Sequence, residues 1–213
     1  GLGSRLSEET YLIPKPMVEI GGRPIIWHIM KHFSEFGFNE FILLLGYKSQ
    51  IVKDYFINYH LHSGSISINL ENQKIKSIDQ KIEPWDITLL DTGADTDTGG
   101  RIKRAEHIIG DEKFFLTYGD GVSNINLNKL LDFHEKNEAS ITMSGVQPYG
   151  QFGTFEEDEN NLVKSFLEKP KGKGSWVNGG FFVCEKDIFD YLNDGDKTIF
   201  EREPLENLAS DSK

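Results

Sequence analysis

The apolar run Phe41-Ile-Leu-Leu-Leu45 lies between two segments of helical periodicity, and no other feature restricts the fold as much. Upstream, Ile25, Ile29 and Phe33 recur at a spacing of four with Ile26 and Met30 beside them. They form one stripe of a helix that Pro24 can open and Gly37 can end. Downstream, Ile51, Val52, Tyr55, Phe56 and Tyr59 form a second stripe. A short strand that is apolar at every position has no face for water. It is predicted to be buried on both faces, inside a parallel sheet covered by helices.

The rest of the chain continues this alternation. Ser65 to Leu70 alternates as a half-buried strand, and Ile87-Thr-Leu-Leu90 is another strand. Asp91 to Gly100 is loop by composition, and Ile102, Ala105, His107, Ile108 and Ile109 indicate a helix opening at Gly99-Gly100. Phe114-Phe-Leu-Thr-Tyr118 is a buried strand running into Gly119-Asp120-Gly121. Asn126 is placed to cap a helix bearing Leu127, Leu130, Leu131 and His134. Ile141 to Val146 and Asn178 to Val183 are strands, and Glu156 to Asn161 is a polar turn closing a hairpin. Ile188, Tyr191 and Leu192 mark a short helix. No internal repeat or linker interrupts this pattern, so 213 residues are read as one α/β domain.

Charge and cysteine content narrow the function. The net charge is -11, the reverse of what a phosphate-tracking nucleic-acid binder needs, so no nucleic-acid partner is expected. No apolar run is long enough to span a bilayer, and no membrane partner is expected. One cysteine, Cys184, cannot form an intrachain disulfide, and the simplest setting for it is the reducing cytoplasm.

Four groups of residues can carry chemistry. Gly1-Leu2-Gly3-Ser4-Arg5 with Lys15 has glycines that let backbone N–H groups approach phosphate, and two cations to neutralise it. The flanking Pro14 and Pro16 limit where Lys15 can point. The competing reading is a terminal loop with incidental basic residues. Asp120 follows a buried strand between two glycines, where ligands of open α/β sheets sit, and can hold Mg²⁺; an ordinary turn aspartate is the alternative. Thr98-Gly99-Gly100-Arg101 can offer free N–H groups at a helix start, or with Lys103 and Arg104 be a solvated basic face. Glu168 can accept two sugar hydroxyls and Lys169 can meet a sugar phosphate, with Asn178 downstream; the alternative is a strand end with a surface ion pair.

Together these segments resemble the sugar-phosphate nucleotidyltransferases, and within them the glucose-1-phosphate cytidylyltransferase branch. The signature G-x-G-[ST]-R-L…P-K is matched by Gly1-Leu-Gly-Ser-Arg-Leu6 and Pro14-Lys15. The branch is matched by Trp27-His-Ile-Met30, Glu83-Pro-Trp85, Thr98-Gly-Gly-Arg101, Tyr118-Gly-Asp-Gly121 and Asn178-Gly-Gly-Phe-Phe182. The resemblance covers essentially the whole chain. It implies a Rossmann-like mixed, mostly parallel sheet flanked by helices, with a small β-hairpin part that binds sugar. It also implies that CTP and α-D-glucose 1-phosphate give CDP-glucose and pyrophosphate with Mg²⁺, for nucleotide-sugar and polysaccharide synthesis, in a homo-oligomer. By the family pattern Gly1, Leu2, Gly3, Ser4, Arg5, Lys15, Thr96 and Arg101 hold the nucleotide. Arg5, Lys15 and Asp120 serve the reaction, Asp120 binds the metal, and Gly153, Glu168, Lys169 and Asn178 surround the sugar phosphate.

Two family features have no counterpart in these residues: a short apolar strand ahead of the glycine loop, and a C-terminal segment carrying a second metal-binding aspartate. The expectation is one nucleotidyltransferase domain over 1–213 lacking both, and weak or no activity from that segment in isolation. A uridylyl- or thymidylyltransferase on the same sugar phosphate and a catalytically silent nucleotide-sugar-binding subunit are the alternatives. His28 and His32, four apart, lack a third zinc ligand, and a calcium loop at Asp95-Thr-Asp97 would turn Arg101 toward the ion.

Overall fold

The computed structural model describes residues 13–79, 82–147, 154–157, 159, 162–167 and 176–213. A 3₁₀ turn at Lys15–Met17 leads into the short ladder of β1 (Glu19–Ile20) and β2 (Arg23–Pro24), then α1 (Ile25–Glu35). Next come β3 (Glu40–Leu45), α2 (Ser49–Ile57), α3 (Tyr59–His62), β4 (Ile66–Asn69), β5 (Lys74–Ser77) and β6 (Asp86–Asp91). α4 (Thr98–Arg104), α5 (Glu106–Ile109), β7 (Phe114–Thr117), α6 (Leu127–Asn137) and β8 (Ile141–Val146) follow. The chain continues through β9 (Thr154–Glu157), β10 (Val163–Leu167) and β11 (Val177–Cys184), and two 3₁₀ turns lead to α7 (Glu203–Ser210).

The class is α/β, with helices packed on a mixed set of strands. Parallel pairing is found in β3–β6, where Phe41 faces Ile87 and Leu44 faces Leu90. The three-stranded sheet, in the order β7-β11-β8, is antiparallel. The hairpin expected around Glu156 to Asn161 is formed by β9 and β10.

β11 organises the core. Successive strand residues point to opposite faces, so an uninterrupted apolar strand must be covered twice. Phe182 and Cys184 face a cluster with Ile188, Phe189, Phe200 and Leu208. Phe181 and Val183 face another with Ile29, Phe33, Leu127 and Leu130. Local signals place the helices that supply these side chains. Asn126 caps α6 by accepting from the Lys129 N–H at 3.0 Å, and Gly37, at φ +90°, turns the chain out of α1.

Two strands depart from expectation. Phe41 to Leu44 were read as buried on both faces, yet they are only half-buried. The reason is a cavity of about 760 Å³ lined by the whole of β3 and the whole of β7, together with Ile29, Phe33, Ile102 and Val183. Among the described residues β3 pairs only with β6 and β7 only with β11, so each leaves one ladder edge open. β4 is expected to be half-buried, but among the described residues it pairs only with β5, and Ile68 and its cross-strand partner Ile75 are about half exposed.

The Cys184 thiol is fully buried, and burial, with Glu185 beside it, pushes its pKa well above the ordinary value. The folded protein should therefore resist a disulfide-exchange reagent at pH 8 and release one equivalent of thiol only in denaturant. Labelling in native buffer at the rate of a free thiol would show that β11 opens without global unfolding.

Candidate active site

The sequence places Asp120 at the carboxyl end of β7, and the structure gathers two clusters, one there and one at the carboxyl ends of β3 and β6. The first is built on Lys15. Pro14 fixes the entry to the 3₁₀ turn, which is closed by bonds from the Met17 N–H to the Pro14 carbonyl (2.8 Å) and from the Val18 N–H to the Lys15 carbonyl (3.1 Å). The Pro16 ring then packs on Gly119, where an added Cβ would come within 3.1 Å of Pro16 Cγ. β7 delivers Asp120 just beyond that contact. Lys15 Nζ stands 3.6 Å from Asp120 Oδ2, with Asp120 exposed and Lys15 half-buried. Such an ion pair adds little stability. It does hold a cation and a carboxylate side by side, each free to exchange its partner for phosphate or a divalent cation.

The second cluster is built on Arg101. Its Nη1 donates to the Leu45 carbonyl (3.1 Å), Thr92 Oγ1 (2.7 Å) and the Gly93 carbonyl (2.8 Å), and Nη2 to the Ala94 carbonyl (3.2 Å). Burial draws its pKa below the ordinary arginine value while the Asp97 and Asp91 carboxylates oppose that shift. Thr92 Oγ1 also donates to the Leu45 carbonyl at 2.7 Å. The guanidinium thus fastens the end of β3 to the loop after β6, the loop that contains buried Thr96. It fits only because residue 46 is glycine: a Cβ there would lie 2.2 Å from Arg101 Nη1.

The start of α4 differs from expectation. Gly99 and Gly100 were read as offering free N–H groups to an anion, but both donate to the Thr198 carbonyl, at 2.9 and 3.2 Å. Their lack of a side chain permits that approach, since a Cβ on Gly99 would sit 2.5 Å from Thr198 Cγ2. The basic residues that follow are paired as well, Lys103 with Glu106 (2.9 Å) and Arg104 with Asp196 (2.8 Å).

Asn178, the second residue of β11, donates its amide to the Tyr118 hydroxyl at 3.1 Å, which ties it to the strand that leads to Asp120. Lys15 and Asp120 are therefore brought together, Arg101 on α4 fastens the loop that holds Thr96, and Asn178 joins through Tyr118. Gly1, Leu2, Gly3, Ser4, Arg5, Gly153, Glu168 and Lys169 lie outside the described residues. Among the described residues no three His, Cys, Asp or Glu side chains cluster, so Asp120 offers a single carboxylate. His28 contacts the Ile20 carbonyl (2.8 Å) and His32 packs edge-on to Phe36. The sequence gives no role to Gly46, Thr92, Thr198 or Glu201, and Tyr118 enters only within the family motif Tyr118-Gly-Asp-Gly121. Gly46 directly after an apolar strand was the one readable signal.

Residues 1–208 match the family model described as nucleotidyl transferase. The chain belongs to that family. Among curated relatives, it is 46% identical over 210 residues to the glucose-1-phosphate cytidylyltransferase of Salmonella typhi, covering 98% of this chain and 81% of the relative. It is 47% identical to the probable glucose-1-phosphate cytidylyltransferase of Bacillus subtilis, covering 100% and 83%. Among solved structures it resembles HddC from Yersinia pseudotuberculosis, with a TM-score of 0.63 and 27% identity over 91% of this chain and 76% of that one. A UDP-glucose pyrophosphorylase solved with UDP-glucose, at 19% identity and a TM-score of 0.65 over 99% and 84%, shares the fold.

Replacing Gly46 by alanine should expel the Arg101 guanidinium and destabilise the protein by about 1–3 kcal/mol, the cost of leaving its acceptors unmet. Arg101→Ala should cost about the same, and the double variant no more than either single one. Urea denaturation reads all three, and additive losses would show that the two residues act independently.

Proposed function

We propose that this protein transfers the cytidylyl group of CTP to α-D-glucose 1-phosphate, giving CDP-glucose and pyrophosphate. The observation that carries the reading is identity of 46–47% over essentially the whole chain to cytidylyltransferases of that specificity. The Lys15–Asp120 pair at the end of β7 supplies the chemistry the reaction needs. A sugar-phosphate oxygen attacks the α-phosphorus, the new P–O bond forms, and the bond to pyrophosphate breaks in line. Positioning and charge neutralisation dominate such a step.

Lys15 would leave Asp120 for the phosphates, where a point charge offsets the growing negative charge. Asp120 fits Mg²⁺, which takes one or two carboxylates and fills its remaining positions with phosphate oxygens and water. Bound there, Mg²⁺ would neutralise charge on the α-phosphate and the leaving pyrophosphate. Thr96 and Arg101 are assigned to the nucleotide side. Arg101 acts there by fixing the loop, since its terminal nitrogens already contact four oxygens. Gly1, Leu2, Gly3, Ser4 and Arg5 complete that side, and Gly153, Glu168, Lys169 and Asn178 the sugar side, by the family pattern.

The cavity shared by β3 and β7 suits one further apolar strand, which would join the two open ladders into a single sheet. A cytoplasmic setting agrees with the lone buried cysteine, and no helix among the described residues is long and apolar enough to cross a membrane. A homo-oligomer belongs to the same reading, by the family pattern.

Pyrophosphate release with glucose 1-phosphate and each of CTP, UTP, dTTP, ATP and GTP tests the proposal, and CTP should be the preferred nucleotide. Release with UTP in preference to CTP would overturn the base assignment, and release with none would favour a silent subunit. Asp120→Asn and Lys15→Ala should each lower kcat by about 10² or more.

A further inference from the structure

We propose that Tyr118 and Glu201 are positioning residues that aim the Asn178 amide at the sugar phosphate. The inference rests on the reading of Asn178 as part of the sugar-phosphate site.

A carboxamide can point either way unless its partners decide, and here they do. Asn178 Oδ1 accepts from the Gly180 N–H at 2.7 Å, and a backbone N–H can only donate. Nδ2 must then face the Tyr118 hydroxyl, at 3.1 Å. One amide N–H remains for a ligand. β11 is irregular at this point: between Asn178 and Phe182 it advances four residues while its partner β8 advances two, from Gly145 to Met143. Such irregularities re-aim side chains that a regular ladder would hold perpendicular to the sheet.

The hydroxyl that receives Asn178 is itself held. Its ring meets Phe182 edge-on at 6.1 Å and lies over Gly180, where a Cβ would be 2.9 Å from Tyr118 Cδ2. Gly180 is also at φ +81°, so both backbone and space demand glycine. As an acceptor from Asn178, the hydroxyl must send its own proton elsewhere, and the Glu201 carboxylate faces it. Glu201 is fixed in turn by Thr98 Oγ1, which donates to it at 2.6 Å and accepts from the Phe200 N–H at 2.9 Å. A relay of contacts therefore runs from the first residue of α4 through Glu201 and Tyr118 to Asn178. Exposed Glu201 has no place in the sites assigned above, and this relay gives it one.

Steady-state kinetics with CTP and glucose 1-phosphate test the relay. Asn178→Ala should raise KM for glucose 1-phosphate about tenfold or more, the loss of one bond to a charged ligand, with KM for CTP little changed. Tyr118→Phe, which removes the acceptor and keeps the ring, should raise the same KM several-fold. The double variant should be no worse than Asn178→Ala alone. Glu201→Ala should follow Tyr118→Phe, and Glu201→Gln, still able to accept from Tyr118 and Thr98, should restore most of the affinity. Thermal melts of each variant separate loss of fold from loss of aim, and the Glu201 pair reads the relay if Tyr118→Phe melts early. An unchanged KM in Tyr118→Phe, additivity in the double variant, or Glu201→Gln as impaired as Glu201→Ala would overturn the relay. If Asn178→Ala leaves the sugar-phosphate KM unchanged, the assignment of Asn178 fails first and the relay with it.

Discussion

Everything positioned in this molecule hangs from β11. It is the middle strand of its sheet, and its last four residues are buried on both faces. One face gathers α7 and the turns before it, the other α1 and α6. The antiparallel ladder to β7, with Phe181 opposite Thr117 and Cys184 opposite Phe114, then fixes where β7 ends. Asp120 stands where it does because Phe182 and Val183 have no freedom to move. The same strand carries Asn178 near its start, so the carboxylate and the amide assigned to the two substrates share one rigid reference. Sites built on strands keep geometry that loops alone would lose.

Electrostatics works locally against a strongly acidic background. A net charge of -11 gives no general attraction for phosphate, so cations must be presented one at a time. The structure ranks them. Lys103 and Arg104 on α4 are neutralised by Glu106 and Asp196. Arg101 is enclosed by carbonyls and a hydroxyl. Lys15 is held loosely, 3.6 Å from Asp120 with solvent access to both. A loosely held pair can trade partners without first breaking a buried network, which distinguishes Lys15 from Arg101 as a phosphate ligand.

Much of the scaffold was legible from the sequence because it obeys local rules. The stripe of α1, the Asn126 cap of α6, the run of β3 and the polar turn of the β9–β10 hairpin are each specified by their own residues. Failures came where partners distant in sequence decide. Leu43 is as apolar as a core residue can be, yet its burial depends on what lies between β3 and β7. Ile68 alternates correctly, but among the described residues its strand pairs only with β5. For the site, Asp120 and Lys15 were each marked by a local feature, a strand end and a proline-fixed turn, but only the family resemblance put them in one site. Glu201 could not, since nothing near it in sequence hints at Thr98, 103 residues away.

Glycine is where sequence and structure disagree most usefully. A Gly-Gly pair before a helix invites a phosphate interpretation, because bare N–H groups bind anions. Here Gly99 is small so that Thr198 can approach and take the N–H groups, Gly100 so that Gly195 and Thr96 can pack against it, Gly46 so that Arg101 can enter, and Gly180 so that Tyr118 can lie flat. In all three places the space left by a missing side chain is filled by another part of the same chain. The consequence is mechanical. Each contact ties a strand end or helix start near the site to a segment far from it in sequence, so the positions of Thr96, Asn178 and the start of α4 are set jointly. A substitution at any one of these glycines would disturb substrate binding through geometry, although none of them needs to touch a substrate.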